Sequence, residues 1–208
     1  MEYSKEFKAA LSAFSSIEKD RLIFRLLKKD KLLSKKLYFE LIDPETTDNK
    51  RDAMEEIIEE KVLLASKYIG NQKYFLGIIR KISAEITEHV KITTDKFGEV
   101  SLNVLLINKI LEYNEDLSRQ RFDNVYKLYL YIINKTVRSL ALIKKLDVDY
   151  WMEIDEHLDS LKEKVHQNNY LSKLFINNGI DFNWLTSDKI PENFDQIIKE
   201  IKSQGFLR

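Results

Sequence analysis

Residues 125–137 read VYKLYLYIINKTV, a stretch that is apolar almost all the way round at helical spacing. A helix with no broad polar face is normally central and buried. The surrounding segment, 119–145, has no glycine or proline. As one helix it would be roughly 40 Å long. Only 5 Gly and 2 Pro occur in the 208 residues. So few breakers in a chain rich in Leu, Lys, Glu and Ile predict long helices with short connections.

The punctuation outside that segment is consistent. Ser4 opens a helix to about Ala13, and Ser15 or Ser16 caps SIEKDRLIFRLLKK. Asp30 caps KLLSKKLYFELI. Pro44 suits the first position after an Asp43 cap. Helices are expected over about 48–69, ending at Gly70, and over about 72–92. The loop TTDKFGEV should pivot on Gly98, followed by a helix over about 100–116. Asp147 caps a helix to about His166, Gly179 stops another, and Pro191 starts the last. No alternating strand pattern of useful length appears. The expectation is one all-α domain over 1–208, with about nine helices in antiparallel pairs. Both a helical bundle and a short α–α superhelix fit, with the 119–145 helix as the long central one.

Composition narrows the function classes. Apolar residues make up 44 % and charged residues 33 %, which is globular. Lys+Arg and Asp+Glu are each 34, so no global field draws nucleic acid or anionic lipid. With no cysteine, disulfides, thiol catalysis and Cys-based metal sites are excluded. The N-terminal stretch, carrying Glu2 and Glu6, does not read as a signal peptide. No run of about 18 apolar residues occurs, and a cytoplasmic protein without membrane partners is expected.

Two of the three histidines lie in near-identical phrases, EITEH at 85–89 and EIDEH at 153–157. Bundle metal sites use inward Glu and His on several helices, typically as E-x-x-H. Here the pairs Glu85/His89 and Glu153/His157 are four apart, which still shares a face. At about 100° per residue, His89 falls near the middle of the face made by Phe75, Ile79, Ile82 and Ile86, with Glu85 at its edge. His157 lies at the flank of its own face. Glu85 and His89 are the metal candidates; the competing reading makes His89 a hydrogen-bonded core residue. Glu56-Ile-Ile-Glu59 with Glu85-Ile-Thr-Glu88 resembles the E-x-x-E and E-x-x-D pairs of all-α nucleoside triphosphate pyrophosphohydrolases of the MazG and dimeric dUTPase kind. The resemblance implies Mg²⁺ held by carboxylates, with Glu88 standing where that pattern has Asp.

Charge is segregated within the neutral total. Residues 21–39 carry Arg21, Arg25, Lys28, Lys29, Lys31, Lys35 and Lys36 against Asp30. Residues 119–145 carry Arg119, Arg121, Lys127, Lys135, Arg138, Lys144 and Lys145 against Asp123. With Tyr126, Tyr129 and Tyr131 interleaved, such helices could grip phosphates and stack bases. They could equally pair with the acidic cluster Glu55, Glu56, Glu59 and Glu60. The sequence therefore favours a non-enzymatic interaction or scaffold protein with a protein partner and no cofactor. The alternatives are nucleic-acid binding through Arg25, Lys28, Lys29, Lys35, Lys36, Arg119 and Arg121, and a metal-dependent phosphohydrolase or bundle metal site. The sequence leaves the oligomeric state open.

Overall fold

The computed structural model describes residues 2–115, 117 and 121–207, with backbone alone at 122–124. Among the described residues there are ten α-helices and no strand. The chain forms two compact units. One runs from the N-terminus to Pro44 and includes Lys91–Thr93; the other holds Glu45–Val90 and the chain from Thr94 onward.

The N-terminal unit contains α1 (Lys5–Ser12), α2 (Ser16–Lys29) and α3 (Lys31–Leu41). Each start is set by a side chain that satisfies an orphan backbone donor. Ser4 accepts from the Phe7 amide, and Asp30 accepts from the Leu33 amide. At Ser15 a full capping box forms, with Glu18 accepting from the Ser15 amide in return. Helices α2 and α3 pack together. None of the three helices holds a fully buried residue.

The second unit contains α4 (Thr47–Ser66), α5 (Gln72–Thr93) as far as Val90, α6 (Lys96–Glu112), α7 (Phe122–Ile143), α8 (Trp151–Gln167), α9 (Asn169–Asn177) and α10 (Phe194–Ser203). Its core follows helical stripes: Met54, Ile58, Val62 and Ala65 on α4, then Ile154, Leu158, Leu161 and Val165 on α8. On α5, Phe75, Ile79, Ile82 and Ile86 are buried. The long helix expected over 119–145 is present as α7. The helix packed by α4, α7 and α8 together is the shorter α6. Its buried positions include Val100, Leu102, Val104, Leu106, Ile107 and Ile110, which lie on every side of the helix.

Several boundaries differ from the sequence reading for local reasons. Thr46, accepting from the Asn49 amide, starts α4 in place of the Asp43–Pro44 pair. Gly98 is not a loop pivot but sits in the first turn of α6. The reversal occurs at Thr94, which is left-handed at φ 57°, and Asp95 caps α6 by accepting from the Gly98 amide at 2.8 Å. Asp147 caps a short 3₁₀ turn, Val148–Tyr150, from which α8 continues. Helix α10 begins three residues after Pro191.

Polar ties fix the C-terminal helices. Asn168 caps α9 through the Leu171 amide and donates to the Tyr129 hydroxyl at 2.7 Å. The chain end is held at Leu207, whose amide donates to Asn178 Oδ1 and whose carbonyl accepts from Asn134.

Candidate functional site

The metal candidates come first. Glu85 Oε2 accepts from Lys61 Nζ of α4 at 2.6 Å. His89, one turn further along α5, is half-buried. Burial pushes its imidazole pKa down, Asp95 opposes that, and Arg51 and Lys50 add to it. Glu85 and His89 therefore engage different partners: a lysine for one, the Arg51–Asp95 region for the other. Among the described residues no three His, Asp or Glu side chains converge to hold a metal ion. Glu56 is exposed, whereas Glu59 accepts from both Lys109 of α6 and Tyr113 at its C-cap, at 2.7 and 2.6 Å.

The second phrase does different work. Asp155, its central residue, accepts from the amide and hydroxyl of Ser187 at 2.8 and 2.7 Å, anchoring the 3₁₀ turn Ser187–Lys189 on α8. The His157 carbonyl accepts from Asn108 of α6. Its imidazole acts on Glu55 of α4, whose pKa is pushed up by burial, with His157 pulling the other way. The two phrases thus share spelling but not surroundings.

The two basic stretches also separate. In 119–145, Arg119 lies outside the described residues and Arg121 is exposed at the α7 N-cap. Arg138 pairs with Glu99, and Lys144 pairs with Glu192. Lys135 donates to Ser83 of α5. Its ammonium is pushed down to about 8, mainly by burial. Tyr129 is fully buried and bonded to Asn168, which removes it from any stacking surface. In 21–39 the picture is opposite. Arg21, Arg25, Lys28, Lys29 and Lys31 are exposed and make no ion pair with a described residue. Lys36 pairs weakly with Glu40 across 3.7 Å, and Lys35 also makes contacts of its own.

The feature that sequence reasoning missed lies on the same helices. Eleven large apolar side chains between Tyr3 and Ile42 are exposed, among them Phe24 at 63 %, Leu41 at 76 % and Ile42 at 66 %. A signal was present: α2 carries Ile17, Leu22, Ile23, Phe24, Leu26 and Leu27, an apolar arc wider than one packing partner can cover. No known protein family, curated protein or solved structure matches the chain.

Proposed function

We propose that this chain is a non-enzymatic helical interaction protein that binds another macromolecule through the exposed helix faces of residues 2–44. The observation that supports the reading is the apolar exposure of α1–α3. Isolated apolar side chains on a surface are ordinary. Three consecutive helices with no buried residue, carrying eight exposed large apolar side chains with three more at Tyr3, Phe14 and Ile42 beside them, are not. Exposed apolar patches above a few hundred Å² mark interaction sites in soluble proteins. The five unpaired cations on α2 and at the start of α3 add an electrostatic preference for an anionic partner surface.

Those same cations favour nucleic acid as the second reading. Binding to an oligonucleotide that weakens steeply with salt and is lost in the Arg25→Ala/Lys28→Ala/Lys29→Ala variant would select it over a protein partner.

Docking residues and core residues respond differently to charge. Leu41→Asp with Ile42→Asp should change the unfolding free energy of the dilute protein by no more than about 0.5 kcal/mol, as for ordinary surface positions. A loss above about 2 kcal/mol would place these side chains in a core and overturn the reading.

A further inference from the structure

We infer that the α4–α5 hairpin carries a separate binding site, for single-stranded nucleic acid, in a cleft on the outer face of α5. The site goes beyond the docking surface of residues 2–44 and does not rest on it. Every residue in it belongs to Glu45–Val90, so its geometry is that of one compact unit.

Charge is the first observation. Residues 61–84 hold five cations, Lys61, Lys67, Lys73, Arg80 and Lys81, and no Asp or Glu. Lys61 is held by Glu85. The other four are exposed and make no ion pair with a described residue. In a chain of zero net charge this is a local field that draws an anion. From Lys73 to Lys81 it runs along about 12 Å of helix.

Shape is the second. A cleft of about 400 Å³ is lined by Asn71, Lys73, Tyr74, Gly77, Ile78 and Lys81. At about 100° per residue its α5 members share one arc, turned away from the buried Phe75, Ile79 and Ile82. Gly77 is the unexpected member, because glycine inside a helix is destabilising relative to alanine. Packing within the chain does not require it: a Cβ at this position would meet nothing within 4 Å. Nor is its backbone left-handed. What the glycine provides is a flat floor between two cations, where a ligand can approach the helix backbone closely.

The third observation selects the ligand. Tyr74 stands on the wall of the cleft, 54 % exposed. Tyr68, 50 % exposed, meets it edge-on, with ring centroids 5.1 Å apart and planes at 77°. At half exposure both rings keep surface open to a base. Cations that track phosphates beside aromatic rings that stack bases are the two parts of a single-strand site. Duplex bases are already stacked on one another and cannot use the tyrosines. A lipid surface also attracts lysines, but it rewards apolar side chains that project into it. Here the face between the cations is recessed at a glycine. Lys67 and Arg80 extend the charge beyond the cleft, which suits a strand of several nucleotides over a lone nucleotide.

The test is fluorescence anisotropy of the full-length chain with labelled oligo(dT), free and annealed to oligo(dA), over a range of salt. Co-sedimentation with phosphatidylserine–phosphatidylcholine vesicles runs beside it. The wild type should bind the single strand more tightly than the duplex or the vesicles. Tyr74→Ala and Gly77→Leu leave the charge unchanged, and each should weaken single-strand binding by about tenfold, the first by removing a stacking ring and the second by filling the floor. Lys73→Ala with Lys81→Ala should lower the slope of log affinity against log salt by about 1.4, for two phosphates released from a single strand. Arg25→Ala/Lys28→Ala/Lys29→Ala should leave the affinity within about twofold, since those cations lie outside the site. Melts of the Tyr74 and Gly77 variants should match or exceed the wild type, since one ring is half exposed and the other side chain enters open space. No binding to the single strand would overturn the proposal, as would equal binding to duplex or vesicles. Binding indifferent to both Tyr74→Ala and Gly77→Leu would reduce the patch to charge adhesion and overturn it too. Loss of binding in the Arg25/Lys28/Lys29 variant alone would place nucleic acid on the N-terminal helices, overturning this site while leaving the proposed function standing.

Discussion

Arg51 Nε of α4 donates to Asp95 Oδ2 at the head of α6 across 2.7 Å. The other carboxylate oxygen accepts from the Gly98 amide, so one side chain caps a helix and binds a neighbour. The guanidinium also lies 4.6 Å above the Phe97 ring and reaches Asp48 at 2.9 Å. With side-chain exposures of 15 % for Arg51 and 4 % for Asp95, this clasp is largely desolvated. It ties α4 to the helix around which the second unit packs.

Breaking the clasp should be costly. Asp95→Ala removes a cap, about 1 kcal/mol, and strands a largely buried guanidinium. The combined loss should be about 2–4 kcal/mol by urea unfolding. Gly98→Ala should also destabilise, because its Cβ would overlap the Asp95 carboxylate and stand 3.2 Å from Arg51 Nε. A loss below about 1 kcal/mol for Asp95→Ala would contradict this account of the clasp.

His89 sets a pH dependence. Burial lowers its folded pKa below the ordinary 6.5. In the window below 6.5 the unfolded chain binds more protons than the folded one. Stability from this residue is complete above pH 6.5 and is lost as pH falls through the lowered value. The slope from one proton is at most about 1.4 kcal/mol per pH unit. His89→Gln should flatten the acid limb of a stability–pH curve, and two superimposable limbs would disprove the assignment.

Lys135 works in the alkaline range. Its folded pKa of about 8 lies below the ordinary 10.5, with burial as the main cause and the nearby Arg138 adding to it. Between these values the unfolded chain holds the extra proton, so stability should rise with pH from about 8 to 10.5. At neutral pH the charged ammonium opposes folding. Lys135→Met should therefore stabilise the protein by about 1 kcal/mol at pH 7 and remove that alkaline rise. Destabilisation by the methionine variant would mean that its bond to Ser83 outweighs desolvation.

The metal reading has a direct consequence. Glu85 is held by Lys61, and His89 lies by Arg51 and Asp95. Chelator-stripped protein should melt at the same temperature with Mg²⁺, Mn²⁺, Fe²⁺ or Zn²⁺, since only an ion that binds the native state raises the midpoint. A rise with one ion, abolished by His89→Ala, would establish a metal site there.

Tyr129→Phe should cost about 1–3 kcal/mol, because it leaves Asn168 Nδ2 buried without its acceptor beside the α9 cap. Chemical denaturation of the two proteins side by side measures this, and equal stability would show that the bond contributes nothing net.

Helix identity was legible because caps and stripes are local. Ser4, Ser15 and Asp30 cap helices where their spelling places them, and the Phe75–Ile86 stripe is buried as its period requires. What misled was punctuation with more than one use. Gly98 marks close approach of Asp95 to a helix start, and Thr94 takes the left-handed turn that a glycine was expected to supply. The partners of Glu85, Asp155 and Lys135 were not legible, since each is set by helix packing across 24 to 52 residues of sequence. The exposed face of α1–α3 was hidden for a related reason. Periodicity says that an apolar arc needs covering but not whether the same chain covers it.

The most direct measurement is site-specific photocrosslinking in cells from position 41, where Leu41 is the most exposed large apolar side chain of the N-terminal unit. Mass spectrometry would identify the adduct, and position 152 on α8, equally exposed at Met152, serves as the control. The account predicts a defined macromolecular adduct from position 41, absent from position 152 and lost when Ile42→Asp is added. No adduct at position 41, or the same adducts at both positions, would contradict it.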